Sequence, residues 1–176
     1  CEESRPAVIF HAAAHKNVEM IEAFPEEVVK NNIIGTQTVS NLANEYGVSR
    51  FLMISTDKAV RPASVYGAGK RISELQLVQL SRNSATVFVT VRFGNVLGAR
   101  GSIVPLFQKQ IREGGPVTVH PEATRYFMSL PEAARLVVQS GAVGTNGQTF
   151  ILDMGEPTRI LDLASEMIRL AGLEPG

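Results

Sequence analysis

The feature that most constrains this chain is a strand–turn–helix pattern within residues 50–71. Phe51–Ile54 is an apolar run of strand length, and four polar residues, Ser55–Lys58, follow it directly. A helix is predicted to begin after this turn, near Tyr66. In open α/β sheets, ligands bind outside the carboxyl ends of the strands. The pattern therefore predicts that the chemistry of this chain lies where the 51–54 strand ends.

Tyr66 and Lys70 are four residues apart, so a helix places them on one face, a turn apart. A free phenol has a pKa of about 10, and a nearby ammonium group lowers it by favouring the phenolate. Lys70 thus makes Tyr66 a candidate base near neutral pH, and a hydroxyl of Ser55 or Thr56 is suited to orient a substrate oxygen. The alternative is a Tyr/Lys pair on a solvated helix face, without chemistry.

The rest of the chain alternates between strand-like and helix-like segments. Runs of β-branched and apolar residues predict strands, and apolar stripes at helical spacing predict helices. The predicted strands are 7–14, 51–54, 85–91, 116–119 and 149–152, and the predicted helices are 25–46, 66–80, 103–112, 131–139 and 160–171. This alternation is typical of an α/β fold with a doubly wound parallel sheet.

Composition excludes several classes of function. The 17 basic and 17 acidic residues balance, so bulk charge favours neither nucleic acid nor a membrane surface as a partner. Cys1 is the only cysteine, so the sequence contains no disulfide pair, and it has no Cys/His spacing typical of a metal site. No apolar run approaches the roughly 18 residues of a membrane span. We therefore expect no metal and no nucleic-acid partner.

Two further segments have the composition of ligand-binding loops. Ala12–Ala14 ends the first predicted strand, and small side chains there let a flat ligand approach the backbone, although tight helix packing explains them equally well. Segment 92–105 combines glycines with polar side chains, which indicates a sharply turning loop against a ligand or an ordinary loop with a solvated arginine. Its glycines are Gly94, Gly98 and Gly101, and its polar residues are Asn95, Arg100 and Ser102.

Two stretches carry a resemblance to a known family. They are Ser55–Pro62, with the sequence Ser-Thr-Asp-Lys-Ala-Val-Arg-Pro, and Val65–Arg71, with the sequence Val-Tyr-Gly-Ala-Gly-Lys-Arg. Both resemble the CapD-like nucleotide-sugar 4,6-dehydratases of bacterial polysaccharide biosynthesis, which belong to the extended short-chain dehydrogenase/reductase superfamily. The resemblance covers nearly all of this chain. It implies the latter part of a Rossmann-like domain, because the glycine-rich turn and the acidic residue that follows it by about 20 positions are missing.

The resemblance also implies a division of the chain. Residues 1–95 are expected to form the latter part of the NAD-binding Rossmann-like domain. Residues 96–176 are expected to form mainly a small α/β substrate-binding lobe, with segments that return to the first domain. We expect the chain to be a piece of a longer protein, with little NAD⁺ binding of its own. The resemblance implies that this parent is a homo-oligomer in the cytoplasm, or is anchored at the cytoplasmic face of the inner membrane through upstream segments.

The resemblance assigns roles to individual residues. The catalytic set would be Thr56, Asp57, Lys58, Tyr66 and Lys70. The cofactor-binding set would be Ala12, Ala13, Ala14, Asn32, Ser55, Tyr66 and Lys70. The substrate-binding set would be Lys16, Asn95, Arg100, Ser102 and, within the segment 121–128, Arg125. From the residues alone, Asp57 and Lys58 also fit a turn-capping carboxylate with a surface amine, and Asn32 fits an amide bonded to backbone or water.

The function implied is a 4,6-dehydratase that acts on UDP-N-acetylglucosamine with NAD, in preference to NADP. Tyr66 would remove the O4 proton during oxidation at C4, Lys58 would remove the C5 proton when neutral, and Asp57 would help O6 leave as water. One alternative is an epimerase of the same superfamily, which needs Tyr66 and Lys70 but not the Asp57–Lys58 pair. Another is a truncated domain that only binds a sugar nucleotide. Product mass separates dehydration from epimerisation.

Overall fold

The computed structural model describes residues 1–99 and 101–176. The strands are β1 (Val8–His11), β2 (Arg50–Thr56), β3 (Val87–Phe93), β4 (Asn95–Val96), β5 (Thr124–Arg125), β6 (Phe127–Met128), β7 (Gln148–Ile151) and β8 (Thr158–Arg159). The helices are α1 (Val18–Ala23), α2 (Gly35–Glu45), α3 (Val65–Ser81), α4 (Ile103–Arg112), α5 (Leu130–Val143) and α6 (Ile160–Leu170). A π-helix (Val28–Ile34) precedes α2, and a 3₁₀ turn (Asp57–Ala59) follows β2.

The main sheet has four strands in the order β1-β2-β3-β7, and every neighbouring pair is parallel. The two central strands, β2 and β3, are rich in buried apolar residues, as expected for strands of a parallel sheet covered on both faces, whereas β1 and β7 at its edges are largely exposed. Thr56 pairs with Phe93 at the carboxyl end of β2, so the turn after β2 lies at the ligand-binding edge of the sheet. The predicted parallel α/β architecture is confirmed.

The chain forms two compact units. The first contains residues 1–93 and 135–152, and the second contains residues 94–134 and 153–176. The predicted division into 1–95 and 96–176, with segments that return to the first domain, stays a prediction; in the structure, residues 135–152 group with the first unit. Each unit has its own apolar core. The first core includes Ala43, Val48, Phe51, Met53, Leu77 and Phe88, and the second is built on Phe107, Ile160 and Ala164.

Two predicted elements are wrong. The single helix expected over 25–46 is interrupted, because Val28–Ile34 is π-helical before α2 begins. The Ser73 hydroxyl donates to the carbonyl of Asn32 at 2.8 Å and thereby competes with the helix's own hydrogen bonds. The strand expected over 116–119 does not form; Val117 and Val119 instead pack against the Phe107 core.

Helix α4 has the bounds that the sequence predicts, whereas α1 lies in a stretch where the sequence predicts no element. Across the residues that the structure describes, no helix combines the length and the apolar character needed to cross a bilayer.

Candidate active site

The first turn of α3 is held by hydrogen bonds to two side-chain caps. Ser64 caps α3, because its hydroxyl accepts from the Gly67 amide at 3.1 Å. A second cap comes from α1, where the Glu22 carboxylate accepts from the Val65 amide at 2.8 Å. An acidic group at a helix N-terminus also interacts favourably with the helix dipole. These bonds fix where α3 begins, and hence where Tyr66 lies.

Gly67 allows α3 to lie directly against the turn. A Cβ at this position would come 2.5 Å from the carbonyl oxygen of Lys58 and 3.3 Å from the Cβ of Pro62. A separation of 2.5 Å from a backbone oxygen cannot be accommodated without moving the helix or the turn. The absence of a side chain at Gly67 therefore brings Tyr66 close to the residues that follow β2.

The turn itself is a chain of three polar side chains. The Thr56 hydroxyl donates to Oδ1 of Asp57 at 2.8 Å, and the Lys58 ammonium lies 3.0 Å from the same oxygen. Thr56 is buried, whereas the side chains of Asp57 and Lys58 are 43% and 33% exposed. A buried hydroxyl thus connects the interior to an accessible acid–base pair.

Tyr66 has a raised pKa, in contrast to the lowered pKa that the sequence predicts. Burial raises it most, a hydrogen bond with the Thr56 side chain lowers it, and the charge of Asp57 raises it. Burial disfavours the charged phenolate, and Lys70 is not among the groups that shift this pKa. The same interactions show that Tyr66 lies beside Thr56 and Asp57, which is the convergence that the sequence predicts.

Lys70 is 4% exposed, and its pKa falls from 10.5 to about 8. Burial lowers the pKa, and the carboxylate of Glu74 raises it. His11, at the end of β1, has a lowered pKa because of burial and of the charge on Lys70, and its Nε2 lies 2.9 Å from the Thr36 hydroxyl. A lysine with a pKa near 8 changes charge close to physiological pH, which suits acid–base chemistry.

Ser55 does not point freely toward a ligand. Its hydroxyl donates to Glu74 Oε1 at 2.6 Å, and the same carboxylate accepts from Arg92 and Arg71. The contact of Ser55 with the cofactor stays a prediction, and because its one proton is donated to Glu74, the hydroxyl could meet a cofactor only as an acceptor. The sequence did not single out Glu74, because it looks like any acidic residue on a helix. The available signal was Arg92, a charged residue at the end of a predicted buried strand that needs an acidic partner; in the structure Arg92 is the register partner of Ser55.

Asn32 is also committed to the protein. It is fully buried, its amide donates to the His15 carbonyl at 2.8 Å, and its side-chain oxygen accepts from the His15 amide at 2.8 Å. These two bonds fix the segment after β1, and the contact of Asn32 with a cofactor stays a prediction. That segment carries Ala12–Ala14 and Lys16, and Ala12, Ala13 and Lys16 are exposed. Small exposed side chains at a strand end leave the backbone accessible, which is compatible with the predicted cofactor contact of Ala12–Ala14; the substrate contact of Lys16 stays a prediction.

The second unit contains three of the predicted substrate-binding residues. Asn95 begins β4, Arg125 is exposed in β5, and Ser102 precedes α4 as its N-cap residue. Among the residues that the structure describes, the Ser102 hydroxyl oxygen is buried and has no hydrogen-bond partner. Arg125 donates to the carbonyl of Thr124 at 2.7 Å. The prediction for Arg100 lies outside the described residues.

Within residues 1–99 and 101–176, no group of three or more acidic, histidine or cysteine side chains is arranged to hold a metal ion.

The fold and the edge cluster define the class of protein: a Rossmann-like α/β domain with the Tyr-x-x-x-Lys helix of short-chain dehydrogenase/reductases. Within that class, the chain belongs to a family described as polysaccharide biosynthesis proteins, whose model matches residues 1–176.

The chain is similar to one capsular polysaccharide protein in sequence and to two solved proteins in structure. The chain is 58% identical over 172 residues to the capsular polysaccharide biosynthesis protein CapD of Staphylococcus aureus, covering 97% of this chain and 29% of CapD. It superposes on Pen of Bacillus thuringiensis with a TM-score of 0.89 and 37% identity, covering 95% of this chain and 52% of Pen. It superposes on a dTDP-glucose 4,6-dehydratase, DesIV of Streptomyces venezuelae solved with NAD bound, with a TM-score of 0.90 and 22% identity, covering 96% of this chain and 58% of DesIV. The chain thus spans less than a third of CapD.

Proposed function

We propose that the protein containing this chain is an NAD-dependent nucleotide-sugar 4,6-dehydratase that acts on UDP-N-acetylglucosamine in bacterial surface polysaccharide synthesis. The observation that carries the proposal is the meeting of Tyr66 with the Thr56–Asp57–Lys58 turn at the carboxyl edge of the sheet. Family membership and the 58% identity to CapD support the biological setting. A homo-oligomer, located in the cytoplasm or at the inner membrane's cytoplasmic face, belongs to the same proposal.

Oxidation at C4 would begin with Tyr66. Its phenolate takes the O4 proton. The Thr56 hydroxyl, which donates to Asp57 in the structure, would turn its one proton to the same sugar oxygen as the ketone forms. The raised pKa of Tyr66 makes its phenolate a strong base once formed. Lys70 does not shift that pKa in the structure, so stabilisation of the phenolate by its ammonium is proposed only for the complex with substrate. NAD would supply the hydride chemistry here, as the acceptor for the C4 hydride and later as its donor to C6. The residues that would hold it are Ala12–Ala14, of which Ala12 and Ala13 are exposed, together with Tyr66 and Lys70.

Elimination of water would use the Asp57–Lys58 pair. At 3.0 Å, one proton passed from the Lys58 ammonium to Asp57 leaves a neutral amine and a carboxylic acid. In water the ionic pair is favoured, but a bound sugar that excludes water favours the neutral one. Lys58 then takes the C5 proton, Asp57 protonates O6 as it leaves as water, and Lys58 returns its proton to C5.

The proton balance closes through Thr56. One turnover leaves Tyr66 with the O4 proton and Asp57 without the proton it gave to O6. The Thr56 hydroxyl donates to Asp57 and is hydrogen-bonded to Tyr66, so it can pass a proton from the phenol to the carboxylate. This restores both groups with no net change.

In the second unit, Asn95, Ser102 and Arg125 are proposed to bind the nucleotide diphosphate together with Arg100, because arginine forks bind phosphate oxygens bidentately.

Lys58→Ala in the full-length gene product tests the assignment. With UDP-N-acetylglucosamine in deuterated water, we expect the wild type to release a product lighter by one water and deuterated at C5. The variant is expected to lose the proton exchange at C5 by a factor of about 100 or more while transient NADH formation persists. NMR reports the deuterium, absorbance reports NADH, and mass spectrometry reports the product.

The matched control is Lys109→Ala, which removes an exposed lysine that is also paired with a carboxylate, at 3.9 Å. It should retain wild-type turnover. Full dehydratase turnover by Lys58→Ala would reject the role of Lys58 as base. A wild-type product of unchanged mass would reject the dehydratase and favour the epimerase.

A further inference from the structure

Glu74 is a buried carboxylate on α3, one turn after Lys70, and only 1% of it is exposed. It accepts four hydrogen bonds. Oε1 accepts from the Ser55 hydroxyl at 2.6 Å and from Arg92 Nε at 2.8 Å, and Oε2 accepts from Arg92 Nη2 at 2.5 Å and Arg71 Nη1 at 3.1 Å. A carboxylate can accept about four hydrogen bonds, so these donors leave Glu74 little capacity to accept one from a ligand.

The donors come from two strands and one helix. Ser55 and Arg92 are register partners at the carboxyl ends of β2 and β3, and both reach the same side chain on α3. A two-pronged arginine–carboxylate pair fixes orientation as well as distance. Helix α3 therefore cannot slide or rotate against these strand ends without breaking the fork or the bond from Ser55.

The residues fixed by this network are neighbours of the reacting groups. Thr56 directly follows Ser55, and Lys70 precedes Glu74 by one helical turn. One carboxylate thus sets the separation between the turn that carries Thr56 and the helix face that carries Lys70. Packing alone does not require a charge here, because a buried ion pair is often replaceable by apolar side chains without loss of stability.

The network also determines the charges around Lys70. Glu74 raises the pKa of Lys70 against the effect of burial, whereas His11 from β1 is kept neutral by burial and by Lys70 itself. Hydrogen bonds from Arg92, Ser55 and Arg71 outweigh burial and lower the pKa of Glu74, so its carboxylate stays charged. Arg92 has a raised pKa because of its bonds to Glu74 and also stays charged.

We infer that Glu74 is a positioning residue, which through Ser55 and Arg92 holds the Thr56 turn and the Lys70 face of α3 in the geometry that proton transfer needs. This inference rests on the proposed function for the reaction that it serves. The network itself is a property of the described residues and is testable without turnover.

The principal variant is Glu74→Gln in the full-length gene product, which removes the charge but keeps the size. We expect kcat to fall by about 100-fold, as for reacting groups displaced by about 1 Å, while KM for the sugar nucleotide changes by less than about threefold. The matched control is Arg71→Ala, which removes the half-exposed donor to the same carboxylate and should change kcat by less than about threefold.

Two additional readouts separate positioning from simple stabilisation. Because Glu74 supports the charge on Lys70, the alkaline decline of kcat should begin at lower pH in Glu74→Gln and stay near the wild-type pH in Glu74→Asp. Hydrogen exchange followed by mass spectrometry should show faster exchange in residues 55–59 and 65–70 of Glu74→Gln, with the rest of the sheet unchanged.

Two results would overturn the positioning role of Glu74. One is that Glu74→Gln loses no more kcat than Arg71→Ala, and the other is that the faster hydrogen exchange of Glu74→Gln extends over the whole sheet. A wild type that turns over no nucleotide sugar rejects the proposed function, and the exchange measurement then decides the inference alone. When Glu74→Gln does not fold, Ser55→Ala replaces it, because that variant keeps the ion pair. We then expect a fall in kcat of about tenfold, and an unchanged kcat overturns the inference.

Discussion

At the scale of single residues, the site depends on burying two groups that prefer water. Lys70 is charged in a nearly inaccessible place, and the phenol of Tyr66 is held where its phenolate is disfavoured. The buried charge of Lys70 is unfavourable for the folded state, and the buried phenol of Tyr66 becomes unfavourable only where it would ionise. Both are useful to an enzyme, because a proton exchanged between such groups requires little further change in their surroundings.

Lys70 should make stability depend on pH. Its pKa is about 8 when folded and 10.5 when unfolded, so between these values the unfolded chain binds more protons. The free energy of unfolding should therefore rise as pH increases from about 8 toward 10, within a total effect of roughly 3 kcal/mol. Above pH 10 the raised pKa of Tyr66 acts in the opposite direction, because the unfolded phenol loses its proton first. Urea unfolding at a series of pH values measures the slope.

The variant Lys70→Met should abolish this rise and increase stability at pH 7, because it removes a buried charge and keeps the volume. Lys109→Met, at an exposed position, should leave the slope as in the wild type. A slope that persists in Lys70→Met would show that another group causes it.

The sequence predicted which residues gather at the edge of the sheet, but not what their side chains bind. Thr56, Asp57 and Tyr66 meet as predicted because strand–turn–helix order and helical spacing are local properties. Ser55 and Asn32 bond to Glu74 and His15, which are 19 and 17 residues away. A contact over that separation leaves no mark in local periodicity.

At the scale of elements, the candidate site is a joint between a turn and a helix. Helix α3 meets the 3₁₀ turn through Gly67, and it meets the π-helix through Gly69, where a Cβ would overlap the side chain of Val28. Such close approaches make the joint stiff, since neither backbone can shift without the other. The π-helix escaped prediction because an apolar stripe looks alike in α- and π-helical turns, and the bond from Ser73 that distorts it is distant in sequence.

Gly67→Ala tests the joint. A methyl group 2.5 Å from the Lys58 carbonyl must push the helix from the turn, which we expect to lower the free energy of unfolding by about 1–3 kcal/mol. Gly35→Ala is the matched control, because its Cβ would meet only the Lys30 carbonyl at 3.8 Å, and alanine's helix propensity should stabilise it by about 0.5–1 kcal/mol. Urea denaturation measures both. Equal stabilisation of the two variants would contradict the close approach at Gly67.

At the scale of the whole molecule, the chain crosses between its two units three times, after residues 93, 134 and 152. A single boundary at residue 95 gives only one crossing. Residues 135–152 return to the first unit and supply β7, one of the two edge strands of the main sheet. The sequence indicated the helix and the strand in this stretch but not their destination, because strand order is decided by pairing over long separations. The second unit is folded around an apolar core of its own.

The two cores should respond separately to substitution. Phe88 in the first core and Phe107 in the second are both 1% exposed or less, so truncation of either should cost about 3–5 kcal/mol. We expect Phe107→Ala to reduce hydrogen-exchange protection in 94–134 and 153–176 more than in 1–93, and Phe88→Ala to give the reverse pattern. Each variant is the control for the other, since both remove the same side chain. Equal loss of protection throughout the chain in both variants would mean that the two units open as one, because a substitution confined to one core would then destabilise every protected amide alike.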